Sequence, residues 1–509
     1  MRKVAGLFIR IPEAKAGQIV EIDNIRATGL YNPPSEKELK SSFFPFIDTF
    51  GQYIHKDWPG KTHSVKEMAN YRKEEAVDLA GHPGPAEWNK YGGWAAGPKL
   101  KATGHFRAEK YQGKWWLVDP EGRLFWSHGI TCVRSGNATP ISDREHYFAE
   151  LPGEDSPLAK FYGTGKWAPR GYYKGRTPYK TYDFSQVNLF RKCGEDWRQK
   201  FANITHRRLR SWGMNTIANW SDPEIYLKRK TPYVGTIHTG GRPIQGSEGT
   251  WHKFPDPFDV GFRVGLRERL AKEKGKTTDD AWCIGYFVDN ELTWRDETYL
   301  ALGALMSGPE QPAKKVLVDE LKSKYKTIEK LNAAWWSKYG SWDKLLASRE
   351  EPNRKKAHAD LAKFNIKIAR KYFSTIRDVI KKEAPEKLYL GCRFDFHFYP
   401  EGQKELEWVL RIAAEYCDVV SFNRYRYSTK TVRPPKGVDK PIIVGEWHMG
   451  ALDRGMFHTG LRSVASQGER GEAYHNYVLG GLENPYLVGT HWFQYKDQAT
   501  TGRGDGENY

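Results

Sequence analysis

The stretch Cys283-Ile-Gly-Tyr-Phe-Val-Asp-Asn-Glu-Leu-Thr-Trp294 begins as a buried strand and ends on acids. Cys283, Ile284, Tyr286, Phe287 and Val288 supply apolar character. Asp289, Asn290 and Glu291 then follow without a break. An acid at the end of a core strand is explained if the strand end is the floor of a pocket.

Seven other segments share this apolar-then-polar form: "RLFWSHGI", "GMNTIANW", "TPYVGTIHTGG", "KLYLGCRFDF", "CDVVSFNRY", "PIIVGEWHMG" and "YLVGTHWFQY". Helical stretches lie between several of them. The clearest spans 358–384, where Phe364, Ile368, Tyr372, Ile376 and Ile380 repeat every four residues. "ELEWVLRIAAEY" and "GERGEAYHNYVLGGLEN" behave likewise. Eight strands alternating with helices predict βαβ units and a (β/α)8 TIM barrel, with every strand's C-terminal end at one mouth.

The polar ends are then a list of site candidates. They run His128, Asn219 with Trp220, His238, Asn290 with Glu291, and Arg393 with Asp395 and His397. They continue as Asn423 with Arg424 and Tyr425, Glu446 with His448, and His491 with Trp492 and Gln494. Two carboxylates stand out, Glu291 on the fourth strand and Glu446 on the seventh. Carboxylates flanking a scissile bond are the machinery of glycoside hydrolysis: one is protonated to help the leaving oxygen, the other ionised to attack the anomeric carbon. An ionised neighbour and partial burial raise the acid's pKa. Asn290 suits a sugar hydroxyl, since its amide both donates and accepts.

The 509 residues are 39% hydrophobic and 14% aromatic, with 19 Trp, which is too apolar for a disordered chain and rich in the rings on which sugars stack. No apolar run approaches bilayer length, so no membrane span is expected. The formal charge is +18. Its Lys and Arg are spread over helical stretches such as "RERLAKEKGK", with no clustered face for nucleic acid. The five Cys form no CxxC pair, and the histidines show neither HxxxH nor HExxH spacing. The reading therefore expects no disulfide framework, no metal and no cofactor.

The N-terminal 100 residues differ from the rest. Residues 1–30 read as two strands, and 31–100 as a long irregular segment, broken by a short helix near "SVKEMANYRKEEAVDL", that wraps a larger body. The barrel occupies 101–509, opening on "KWWLVDPEGRLFWSHGI", a hairpin around Asp119-Pro120-Glu121-Gly122.

"GYFVDNELTW", "GEWHMGALDRGMFHTGLRSVASQGERGEAYHNYV" and "NPYLVGTHWFQYKDQATTGRGDGENY" resemble glycoside hydrolase family 50, the β-agarases, as do "KWWLVDPEGRLFWSHGI" and "GMNTIANW" upstream. The likeness runs from about residue 40 to the end. It implies a retaining barrel glycosidase of agarose, cutting β-1,4 bonds, with Glu291 as acid/base after Asn290 and Glu446 as nucleophile. It further implies Tyr425 as a donor to the nucleophile and Trp492 as the floor of the sugar site. Asn219, Trp220, His448 and His491 join them as expected substrate contacts. The family carries a β-sandwich, resembling a carbohydrate-binding module, before the barrel. Residues 1–30 are expected to be its remnant, and the barrel is expected to lack its final helix. An extracellular or periplasmic location follows from the resemblance, although "MRKVAGLFIRIPEAKAG" is a poor signal peptide, interrupted by Arg10. Two readings compete with this one: a clan relative acting on a sulfated or modified galactan of porphyran or carrageenan type, and a non-catalytic glycan-binding barrel.

Overall fold

The computed structural model describes residues 35, 38, 42–395 and 406–509. The expected strands of 1–30, and His397, lie outside the described residues.

The central sheet is parallel and curled into a TIM-barrel-like form. Its strands are Ser127–Ile130, Thr216–Ile217, Tyr233–Ile237, Cys283–Val288, the pair Leu388–Tyr389 and Phe394–Asp395, then Val420–Asn423, Ile442–Trp447 and Leu487–Trp492. Each pairs in parallel with its neighbour in sequence, and the last pairs with the first. The fifth strand is split. Leu388–Tyr389 pairs with the fourth strand and Phe394–Asp395 with the sixth. Between them the chain bends at Gly391 (φ +80°) and Arg393 (φ +58°). Val288 N–H still donates to Gly391 O, and Val419 N–H to Tyr389 O, so this one segment bridges both ends of the sheet.

Two apolar layers hold the sheet. Inside it, Ala218, Val234, Ile284, Phe287, Leu390, Val419, Ile443 and Val488 meet Phe106, Leu117 and Phe125. Leu117 and Phe125 come from a small antiparallel sheet, Arg107–Tyr111, Lys114–Val118 and Leu124–Phe125, seated where the barrel strands begin, and Phe106 directly precedes its first strand. Trp115 N–H donates to Pro485 O and the Lys114 ammonium to Leu487 O, at the start of the eighth strand. This corrects the expectation that "RLFWSHGI" is a single strand. Leu124–Phe125 completes the plug, and beyond Trp126 the chain changes sheet as Ser127–Ile130.

Outside the sheet lies the main core. The 30-residue helix Arg354–Glu383 starts at its Asn353 cap and buries the predicted stripe Phe364, Ile368, Tyr372, Ile376 and Ile380. Trp294, the last residue of the opening stretch, lies in the same core, its ring stacked on Phe373 at 5.4 Å. The other two expected helices are Glu407–Tyr416 and Gln467–Glu483.

A third cluster lies beyond the barrel. The long excursion after the first strand forms an antiparallel sheet of Thr139–Pro140, Tyr162–Gly165 and Tyr179–Tyr182. Its Ile141, Phe148, Phe161 and Tyr182 pack with Phe46 and Ile47. The described part of 31–100 is thus built into the body. It carries the helix Val65–Gly81, capped by Ser64, whose Glu75 pairs with Lys192 and Arg208. Among the described residues, no helix is long and apolar enough to cross a membrane.

Candidate active site

The fourth strand ends in a division of labour. Asp289 turns away from the mouth and accepts from Thr239 N–H at 2.7 Å, Thr239 Oγ1 at 2.8 Å and Tyr372 Oη at 2.8 Å. Left-handed backbone at Asp289 (φ +60°) and Glu291 (φ +50°) then redirects Asn290 and Glu291 into the mouth. Trp220 (φ +65°) and Arg393 (φ +58°) take the same conformation at their strand ends. Non-glycine residues rarely adopt it, and such strain is held where surrounding contacts over-determine the geometry.

A cavity of about 580 Å³ opens at this mouth and contains both Glu291 and Glu446 in its lining. Glu446 accepts three hydrogen bonds. Trp220 Nε1 donates to Oε1 at 3.1 Å, Tyr425 Oη donates to Oε2 at 2.7 Å, and the Arg393 guanidinium donates to Oε1. Burial, together with the Glu446 charge, raises the Tyr425 phenol well above its usual range, so it stays a donor.

Glu291 is held differently. Oε1 accepts from Asn423 Nδ2 at 2.7 Å and Oε2 from Trp251 Nε1 at 2.6 Å. Both donors favour the anion, but burial outweighs them. Burial first, then the Glu446 and Asp395 carboxyls, push Glu291 well above the usual carboxylate range. One carboxyl is thus bound by a guanidinium and two neutral donors, while its neighbour favours keeping its proton.

Arg393 ties the floor together. It is fully buried, lies 5.0 Å over the Phe287 ring, and donates from Nε to Asn290 Oδ1 at 2.7 Å and from Nη1 to Asn219 Oδ1 at 2.8 Å.

The expected substrate contacts divide in two. Asn290, Trp220 and Tyr425 line the cavity. Four others do not. Asn219 is buried and spans Arg393 and Thr236 Oγ1, so it props the guanidinium. His491 points into the barrel, where its Nε2 meets Ser127 Oγ at 2.9 Å; burial and Arg393 push it down to about 3. Trp492 packs outward on Trp447 at 4.9 Å and Tyr474 at 5.2 Å. Strand alternation is the reason: with His491 inward, Trp492 must face the helices, and the next residue, Phe493, lines the cavity. His448 accepts from Leu461 N–H at 2.9 Å and packs against Tyr425 at 4.8 Å and Tyr509 at 4.6 Å; it is pushed down to about 3, mainly by burial.

Several cavity residues carried no strand-end signal. Trp251 follows the fourth-strand acid's donor pattern only in space; in sequence it sits in the loop "GSEGTWHKF". Trp167 comes from the excursion after the first strand and lies 5.8 Å from Trp251. Arg503, Glu507 and Tyr509 come from the last loop.

The chain resembles known proteins over most of its length. The model of glycoside hydrolase family 42, described as beta-galactosidase, matches residues 274–443. Beta-agarase B of Vibrio sp. (strain JT0107) is 36% identical over 510 residues, covering 91% of this chain and 51% of that protein. Beta-agarase A of the same strain is 30% identical, covering 98% and 52%. The chain therefore spans about half the length of these curated relatives. Among solved structures, an exo-beta-agarase superposes with a TM-score of 0.84 at 33% identity, covering 94% of this chain and 70% of that one. The agarase AgWH50C gives 0.81 at 33% identity, covering 94% and 71%. With its barrel strands, its paired carboxyls and these relatives, the chain belongs to glycoside hydrolase family 50, the β-agarase family.

Proposed function

We propose that this chain is a retaining glycoside hydrolase that cleaves the β-1,4-galactosidic bonds of agarose and agaro-oligosaccharides by double displacement. The observation that carries the proposal is the contrast between two carboxyls in one cavity. Glu446 is met by Arg393, Trp220 and Tyr425, whereas Glu291 is raised by burial and by its acidic neighbours.

In the first step a Glu446 oxygen attacks the anomeric carbon. The glycosidic C–O bond breaks, and the leaving oxygen takes the Glu291 proton. In the second step the Glu291 carboxylate removes a proton from water, whose oxygen attacks the same carbon and releases Glu446. Arg393 and Tyr425 fix the nucleophile's orientation between steps, and Trp251 with Asn423 fixes the acid's. Trp167, Trp220 and Trp251 offer ring faces to the sugars. The agarase names of the relatives support agarose as the polymer. A polymer of that size is met outside the cell, which supports an extracellular or periplasmic location.

Incubating the purified protein with agarose and sizing the released sugars tests this. Agaro-oligosaccharides should accumulate, and their size distribution separates attack at chain ends from attack within chains. No release from agarose or its oligosaccharides would contradict the proposal.

A further inference from the structure

Among the described residues, three arginines line the cavity: Arg134, Arg170 and Arg503. Two are committed. Arg170 pairs with Glu507 and with Asp505 at 3.6 Å, and lies over the Trp251 ring at 4.7 Å. Arg503 pairs with Asp505 at 2.9 Å and with Glu507. Arg393, beneath the cavity, is consumed by Glu446, Asn290 and Asn219.

Arg134 is different. It follows the first barrel strand, is half-buried, and has no hydrogen-bond or ion-pair acceptor among the described residues. Asp183 feels its charge, but the Asp183 oxygens already accept from Gln186 N–H and Asn137 N–H, each at 2.9 Å. Lys496 feels its charge as well, and Asp222, nearby, accepts from Ser135 N–H at 3.0 Å. Arg134 and Glu446 line the same cavity, which places the guanidinium on the wall around the proposed reacting centre.

A bound glycan would strip water from this guanidinium. Desolvating a cation that no described acceptor binds directly is costly, and an anion carried by the ligand offsets that cost. The planar fork matches two oxygens of a sulfate or carboxylate at once, whereas each sugar hydroxyl offers a single acceptor. We propose that Arg134 is the position at which the cavity receives an oxyanion substituent, a sulfate ester or a carboxylate, carried by the galactan. The inference rests on the galactan-hydrolase reading and widens its substrate class: the cleft takes charged as well as neutral galactan units.

Calorimetric binding in a Glu291→Gln background tests it without turnover. Three agaro-oligosaccharides of equal length are compared: neutral, bearing one sulfate ester, and bearing one carboxylate. With Arg134 present, a charged ligand should bind about tenfold or more tighter than the neutral one, and the ratio should shrink as salt rises. Arg134→Gln should bring the ratio near one, and Arg134→Lys should keep part of it. Whichever charged ligand responds identifies the anion. An equal loss for all three ligands on Arg134→Gln would assign Arg134 to neutral hydroxyls and overturn the inference. An unchanged ratio would overturn it as well. Failure of all three ligands to bind would instead remove the galactan reading, and this inference with it. Since Arg134 makes no side-chain hydrogen bond among the described residues, both variants should melt with the parent, and the lysine variant gives the same ratio test should the glutamine variant fold poorly.

Discussion

Arg393 donates to Glu446 from a position fully shielded from solvent. The pair joins the ends of the fifth and seventh strands, and the same guanidinium reaches Asn290 beside the second carboxyl. One side chain therefore ties the proposed nucleophile to the residue that precedes the proposed acid.

Replacing Arg393 by Met should lower kcat/KM by about 10²–10³, the usual cost of losing one electrostatic donor at a reacting centre. It should also cost about 3–5 kcal/mol of stability, because it leaves the buried Glu446 carboxyl without its charged partner. Arg393→Lys keeps the charge but cannot serve Glu446, Asn290 and Asn219 together, so it should fall between. Steady-state kinetics and melting curves check both effects. Parent-like kinetics in the Met variant would remove Arg393 from the mechanism.

The raised Glu291 carboxyl has two consequences for pH. As the proposed general acid it must be protonated, so kcat/KM should fall as pH rises through its native pKa, and that limb should lie above the ordinary glutamate range. For stability, a carboxyl raised above its unfolded value of about 4.3 binds its proton more tightly in the native state. Its contribution is fully present below that value and is lost as pH rises through the native pKa. Glu291→Gln cannot ionise. Its melting temperature should therefore gain on the parent's between about pH 5 and pH 8. A gap that stays constant over that range would contradict the assigned direction.

Trp294 couples the motif to the core. It is 1% exposed, stacked on Phe373 at 5.4 Å and edge-on to Phe254 at 4.7 Å. Trp294→Ala should cost about 3–5 kcal/mol, the range for truncating a buried large aromatic, and Trp294→Phe should cost less. Denaturant unfolding monitors both.

Much of this was legible in the strands themselves. Near-continuous apolar runs ending in polar residues mark parallel strands buried on both faces, and the four-residue stripe of Arg354–Glu383 marks a helix on a core. The carboxyls could be paired because a barrel brings all strand ends to one mouth. Which terminal residue faces the cavity was not legible. That depends on the phase of each strand, which left Trp492 outside, and on bends of left-handed backbone, which turned Glu291 inward. The tryptophans that contact or face the acid were also hidden. Trp251 and Trp167 reach the cavity from loops, where no periodicity ties sequence position to direction. The first-strand excursion carried no readable barrel pattern because its short antiparallel strands pack on one another and on residues near Phe46.

Retention requires direct attack, with no water between nucleophile and sugar. A crystal structure should therefore place the Glu291 and Glu446 carboxyl groups about 5–5.5 Å apart. A separation of about 9 Å would point to inversion.

The most direct test of the assigned roles is the anomeric configuration of the azide product. Glu446→Ala should lose turnover of an activated β-galactoside, and added azide should restore it as the inverted, α-configured glycosyl azide. Glu291→Ala should keep turnover of substrates with good leaving groups and give the retained β-azide. Nuclear magnetic resonance of the two products distinguishes them. The opposite pairing of variant and product would exchange the roles of the two residues, and no azide product from either would contradict the double displacement itself.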